Sequence, residues 1–199
     1  FVRAWKERTE VHPTGFQFRN LPVSIPFASL PSPEALKSEI QEIESFVRDP
    51  NQTNEYGAYS CVGLNFPETL SGPYRAKVVQ VLLPWYQSAL EQQQNGDADT
   101  LPTPLEITCP LLAFGNLGIL GLPFEPFVET GELLKSVAPY RYFLPCGYVG
   151  EIHGYIPNAD GVGDREYMSS FYRYTNHYLP YEKPAGDAIA EVLKEVRID

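Results

Sequence analysis

The sequence predicts a single mixed α/β domain over residues 1–199, with one mixed sheet layered with helices. Three observations predict it. Residues 16–27 alternate apolar and polar side chains, as a half-buried strand does. Two helical patterns fill most of the rest of the first half. After residue 105 the chain reads strand, turn, strand, helix, strand, and a last amphipathic helix closes it.

Residues 1 to about 15 begin as a mixed segment and end in the turn signal His12-Pro13-Thr14-Gly15. Phe16-Gln17-Phe18-Arg19-Asn20-Leu21 then alternates, and Val23-Ser24-Ile25-Pro26-Phe27 keeps the period. Pro22 and Pro26 have no N–H for a ladder, so the strand belongs at a sheet edge or passes through bulges. Ser32-Pro33-Glu34 starts a helix: Ser32 as N-cap, Pro33 at the first helical position, Glu34 at the positive end of the dipole. Leu36, Ile40, Ile43 and Val47 share one face of it. Asp49-Pro50-Asn51 ends it. Residues 50–72 are rich in Asn, Gly and Pro and read as a long loop. Pro73 to Gln94 reads as a second helix, kinked or interrupted at Pro84. The polar residues 92–99 read as a surface loop.

Leu105 to Phe114 reads as a strand, Gly115-Asn116 as a tight turn and Leu117 to Leu122 as the return strand. A helix is expected from Pro126 to about Val137, with Glu129 and Glu132 early and Lys135 late. Arg141 to Tyr148 is a further strand. Tyr167, Tyr172, Tyr174, Tyr178 and Tyr181 fall in irregular chain. Pro184 to Val196 is the final helix, with Ile189, Val192, Leu193 and Val196 apolar.

Composition bounds the function. The hydrophobic share is 43% and the charged share 20%, those of a globular chain. A net charge of -10 argues against binding a phosphate backbone, so no nucleic-acid partner is expected. It also disfavours docking on anionic membranes. No apolar run of about eighteen residues exists, so no transmembrane segment is expected. No signal peptide is visible. The chain opens on Phe1-Val2-Arg3, as a fragment or a processed product would. Cys61, Cys109 and Cys146 are odd in number and widely spaced, with no C-x-x-C. Buried free thiols, or one disulfide and a free thiol, both fit; a cysteine zinc site does not.

No G-x-G-x-x-G, G-x-x-x-x-G-K-[ST], H-E-x-x-H or G-x-S-x-G occurs. Of the three histidines, His12 precedes a turn proline and His177 reads as a hydrogen-bonded loop residue. Two runs stand out: Gly118 to Phe127 and Gly147 to Pro157. Glu125 follows a strongly apolar strand between Phe124 and Pro126, where desolvation raises a carboxyl pKa unless a cation or donors compensate. Glu125 reads either as such a site or as the N-cap of the next helix. Tyr155 lies between Gly154 and Ile156-Pro157, where small neighbours let a ligand approach. It reads either that way or as a packed tyrosine with its hydroxyl satisfied. His153 is two residues earlier, on the same side if the segment is extended.

These two runs resemble the C-terminal half of the catalytic domain of the neutral/alkaline ceramidase family, non-lysosomal zinc amidohydrolases of sphingolipid metabolism. The order of elements from about Val23 to Ile198 follows that family. Pro123-Phe124-Glu125 matches its Pro-Gly-Glu, and the resemblance implies that Glu125 is a zinc ligand. Gly154-Tyr155-Ile156-Pro157 matches its Gly-Tyr-Ile-Pro-like run, and implies that Tyr155 also reaches the zinc and serves catalysis. Two departures stand out: Phe124 replaces a glycine, and Gly150-Glu151-Ile152-His153 replaces an Asn-Gly-Tyr-aliphatic stretch. The family's zinc histidines belong to an N-terminal half that is not in this chain. The resemblance therefore implies hydrolysis of ceramide or another N-acyl amide, an extracytoplasmic setting, and a chain inactive without that half. A different class of function also fits: a non-catalytic domain that binds a protein or glycan through Tyr167, Tyr172, Tyr174 and Tyr178.

Overall fold

The computed structural model describes residues 2–8, 15–51, 71–96, 104–156, 173, 181–182 and 186–197. The mixed α/β class is what it has: helices together with a sheet that is part antiparallel and part parallel. The described elements are α1 (Val2–Lys6), β1 (Gln17–Ile25), α2 (Pro33–Arg48), α3 (Gly72–Gln80), α4 (Leu83–Asn95), β2 (Leu105–Phe114), β3 (Leu117–Gly121), β4 (Glu125–Pro126), α5 (Val128–Val137), β5 (Tyr142–Cys146), β6 (Tyr155–Ile156) and α6 (Asp187–Lys194). None of the described helices is long and apolar enough to cross a membrane.

The main sheet has the order β1-β2-β3-β5. β1, β2 and β3 pair antiparallel, and β5 joins β3 in parallel. β1 is an edge strand, which gives Pro22 a place without a missing ladder bond. Its buried face carries Leu21, Val23 and Ile25, whereas Phe16 and Phe18 lie on the exposed side. α5 and α6 pack on each other, α6 against β1 and α5 against β5. The core beneath them holds Val23, Ile25, Leu111, Leu120, Leu122, Phe124, Leu134, Ile156 and Leu193. Each such side chain, fully buried, contributes about 1.5–3 kcal/mol of transfer free energy.

A second apolar cluster lies among α2, α3 and α4, with Leu36, Ile43, Phe46, Leu82 and Tyr86 at its centre. Phe27 packs against both clusters. Ser32 caps α2 as expected, its hydroxyl accepting from Ala35 N at 3.2 Å. The single helix expected over 73–94 is two. Pro84 has no N–H for the Gln80 carbonyl and its ring would clash there, so α3 stops at Gln80 and α4 restarts at Leu83. Of the final helix expected over 184–196, residues 184 and 185 lie outside the described residues, and α6 ends at Lys194, two residues before Val196.

Candidate functional site

β3 and β5 run in parallel and are joined through α5, so both leave the sheet at the same end. That end of a parallel pair is where α/β sheets place ligands. The chain leaving β3 reaches Glu125; the chain leaving β5 becomes the loop 147–154. The two segments then pair again as β4 and β6, in parallel, with Glu125 opposite Tyr155 and Pro126 opposite Ile156. Opposed residues of adjacent strands lie about 4.8 Å apart. The two residues singled out by sequence are therefore neighbours.

Backbone bonds hold the loop to its partner segment. Leu122 N donates to Cys146 O (2.8 Å), Val149 N to Leu122 O (3.0 Å) and Tyr148 N to Phe124 O (3.1 Å). His153 N donates to Pro123 O and Glu125 N to Gly154 O, each at 2.9 Å. Gly147 is required here, since a Cβ on it would lie 2.8 Å from Pro126 Cδ and 2.9 Å from Phe124 O.

Glu125 is not a helix cap. α5 begins at Val128 with Phe127 as its N-cap residue, two positions later than expected, because Glu125 and Pro126 are committed to pairing with β6. Phe124 is fully buried in the core, with its ring 5.5 Å from His153 and 6.1 Å from Tyr181, so its bulk is in the core. Glu125 is half-buried. Its Oε2 accepts a hydrogen bond from the Tyr148 hydroxyl. Among the described residues no partner meets its Oε1 and no cation pairs with it.

Tyr155 is half-buried with its ring 6.3 Å from that of Phe127. His153 does not share its side. Gly154 has φ 78°, which breaks the extended alternation, and the His153 ring lies against Phe124 with only 9% of its side chain exposed. Its Nε2 is 3.3 Å from Glu151 Oε2. The rim of the site is apolar and open: Val128, Tyr148 and Ile152 are all exposed.

Tyr148 was not singled out from the sequence, although its Gly147-Tyr148-Val149-Gly150 setting was. It is the one described non-glycine residue with positive φ, 61°. Cys109 is a buried free thiol, and burial pushes it up to about 12. Cys146 is free but exposed, which departs from the buried-thiol reading, because it ends an edge strand. Cys61, His12, His177 and Tyr167, Tyr172, Tyr174 and Tyr178 lie outside the described residues.

The site thus offers one half-buried carboxylate with an open oxygen, the Tyr148 phenol bonded to its other oxygen, and flanking rings. It can accept a cation or an N–H or O–H donor. Among the described residues no group of three or more His, Cys, Asp or Glu is gathered for a metal. Comparisons with family models, curated proteins and solved structures gave no match.

Proposed function

We propose that this chain is the C-terminal part of a zinc-dependent amidohydrolase resembling the neutral ceramidases, acting on ceramide or a related N-acyl substrate. The observation that carries the reading is the pairing of Glu125 with Tyr155 beyond the ends of two parallel strands. A half-buried carboxylate with an open oxygen and no described cation partner is suited to a metal.

Glu125 would hold the metal through its carboxylate and Tyr155 through its phenolate. Two protein ligands are too few for a catalytic zinc, which takes at least three, so the upstream half supplies the rest. Bound zinc supplies Lewis acidity to a water and to an amide carbonyl. Tyr155 would also donate to a developing oxyanion. Exposed Val128, Tyr148 and Ile152 offer apolar surface to an acyl chain or to the missing half. The extracytoplasmic setting belongs to the same proposal.

The test is to join the chain to its upstream half and measure zinc content and amide hydrolysis, with Glu125→Gln beside it. The reading expects both in the parent and loss of most of both in the variant. Equal zinc and equal hydrolysis in Glu125→Gln would overturn the site. A second reading, a non-catalytic binding domain, is favoured by the exposed Phe16, Phe18 and Leu144 on the outer side of the sheet. A joined protein with neither zinc nor hydrolysis would favour it.

A further inference from the structure

We propose that two copies of this chain pair face to face through the outer side of the β1-β2-β3-β5 sheet. Such pairing is independent of what Glu125 binds.

A sheet with helices on one face and water on the other alternates apolar inward and polar outward. One end of this face does so: Asn20, Ser24, Glu106 and Thr108 are exposed on it. The other end does not. The ladders set Phe18 beside Leu112, Leu112 beside Ile119 and Ile119 beside Leu144, one apolar row across all four strands. The next row is Phe114, Leu117 and Tyr142, and the Phe16 ring joins it 5.2 Å from that of Phe114. These side chains point away from the core, which takes the alternate residues Leu111, Ala113, Leu120 and Phe143. Among the described residues, charge stands only at the margins of this face. Glu106 bonds Ser24 at one end, and the Arg141 guanidinium lies over the Tyr142 ring at the other.

The edges of the sheet decide how a partner can approach. β1 and β5 are the outer strands of the described sheet, and each carries a proline, Pro22 and Pro145, with no N–H to offer an added strand. Growth at an edge is blunted, whereas stacking on the face is open. Charge and area decide the occupant. A charge brought onto the apolar rows would lose its water and gain no partner, so the counterpart is uncharged. In a chain of net charge -10, two copies can meet through these rows without setting like charges opposite each other. A two-fold interface uses the same patch on both subunits, and a flat apolar face complements itself. Phe16, Phe18 and Leu144 are 62%, 54% and 51% exposed. With their half-buried neighbours they leave roughly 500 Å² of contiguous apolar surface, near the upper end of what a monomer keeps in water. Stacking two such faces removes roughly 1,000 Å², the size at which specific interfaces begin. The dimer is therefore a weak one that forms as concentration rises.

Sedimentation of the 199-residue chain over a concentration series tests this. The parent should pass from monomer to dimer. Phe18→Lys and Leu144→Lys, on opposite edge strands, should each weaken the dimer at least about tenfold. Neither should move the urea midpoint of dilute protein, since both positions are exposed. Thr108→Lys places the same charge on the polar end of the same face and should leave the dimer unchanged. Equal weakening in Thr108→Lys, or a dimer that none of the three variants alters, would overturn the apolar rows as the contact. Methyl NMR of the parent reads the contact without any variant. The Ile119 and Leu144 signals should shift with concentration while those of Leu36 and Ile43 in the helical cluster stay fixed, and unmoved Ile119 and Leu144 would overturn the pairing. A parent monomeric at every concentration would overturn it too. If that monomer bound phosphatidylcholine vesicles and Phe18→Lys did not, the face would belong to a lipid surface instead.

Discussion

Tyr181 donates its phenolic hydrogen to the backbone carbonyl of His153, 3.1 Å away. The same ring stacks on Phe27 at 5.5 Å and meets Phe124 edge-on at 6.1 Å. One side chain near the C-terminal end therefore ties the exit of β1 to the loop that carries the candidate site. Tyr181→Phe should cost about 1 kcal/mol, the net value of one hydrogen bond. Tyr181→Ala should cost about 3–5 kcal/mol, because it also empties an aromatic contact in the core. Urea unfolding reads both, and equal losses in the two variants would mean that the rings contribute nothing.

Gly147→Ala addresses the loop directly. Its new methyl would press on Pro126 Cδ and on the Phe124 carbonyl, both backbone-fixed atoms that cannot swing aside. The expected loss is about 1–3 kcal/mol. The Tyr148–Glu125 hydrogen bond should be lost with it, visible as a changed Glu125 side-chain NMR signal. An alanine variant as stable as the parent would mean that the loop sits further out than described.

Cys109 sets a pH dependence whose sign follows from its burial. The thiol is pushed from 9.0 up to about 12 in the folded chain. Above its ordinary value the unfolded chain releases a proton that the folded chain keeps. Its contribution is therefore fully present below about pH 9 and is lost as pH rises toward about 12, by up to ~1.4 kcal/mol per unit. Cys109→Ala should flatten the fall in urea stability between about pH 8 and about pH 10 relative to the parent. Parallel curves would mean that the thiol is not buried from water. In the native chain a thiol reagent should modify exposed Cys146 quickly and Cys109 only on unfolding.

The 199-residue chain by itself should hold zinc weakly or not at all, given two candidate ligands and the three that catalytic zinc requires. Stoichiometric metal surviving dialysis would point to further ligands, His153 or His177 first.

The hairpin of β2 and β3 was readable because its signals are local. Gly115-Asn116 can form the turn, and the apolar period runs unbroken on both sides. The start of α2 was readable for the same reason, in Ser32-Pro33. What could not be read depends on partners distant in sequence. The alternation over 16–25 divides β1 into two faces but does not say which one the helices cover, and Phe16 and Phe18 fall on the open face. Pro126 has the φ of a first helical residue and of a short strand alike, and only pairing with Ile156 decides it. Glu125 and Tyr155 were legible as separate candidates through their neighbours. Their adjacency was not, because parallel pairing leaves no turn between the strands to read. Tyr148 escaped because nothing in a Gly-Tyr-Val-Gly run says which residue will take the left-handed turn.

Ile25 and Leu105 are opposed in the β1–β2 ladder, although the whole α2–α3–α4 unit lies between them. That unit is in effect an insert carried in the mouth of a hairpin, entering and leaving at one point. Drift in its length or composition would leave the register of the sheet unaltered, since loop length enters closure only through a slowly growing logarithm. The side of the sheet that carries Glu125 and Tyr155 and the helical appendage are free to evolve at different speeds, and the appendage is where lineages sharing this sheet would come to differ most.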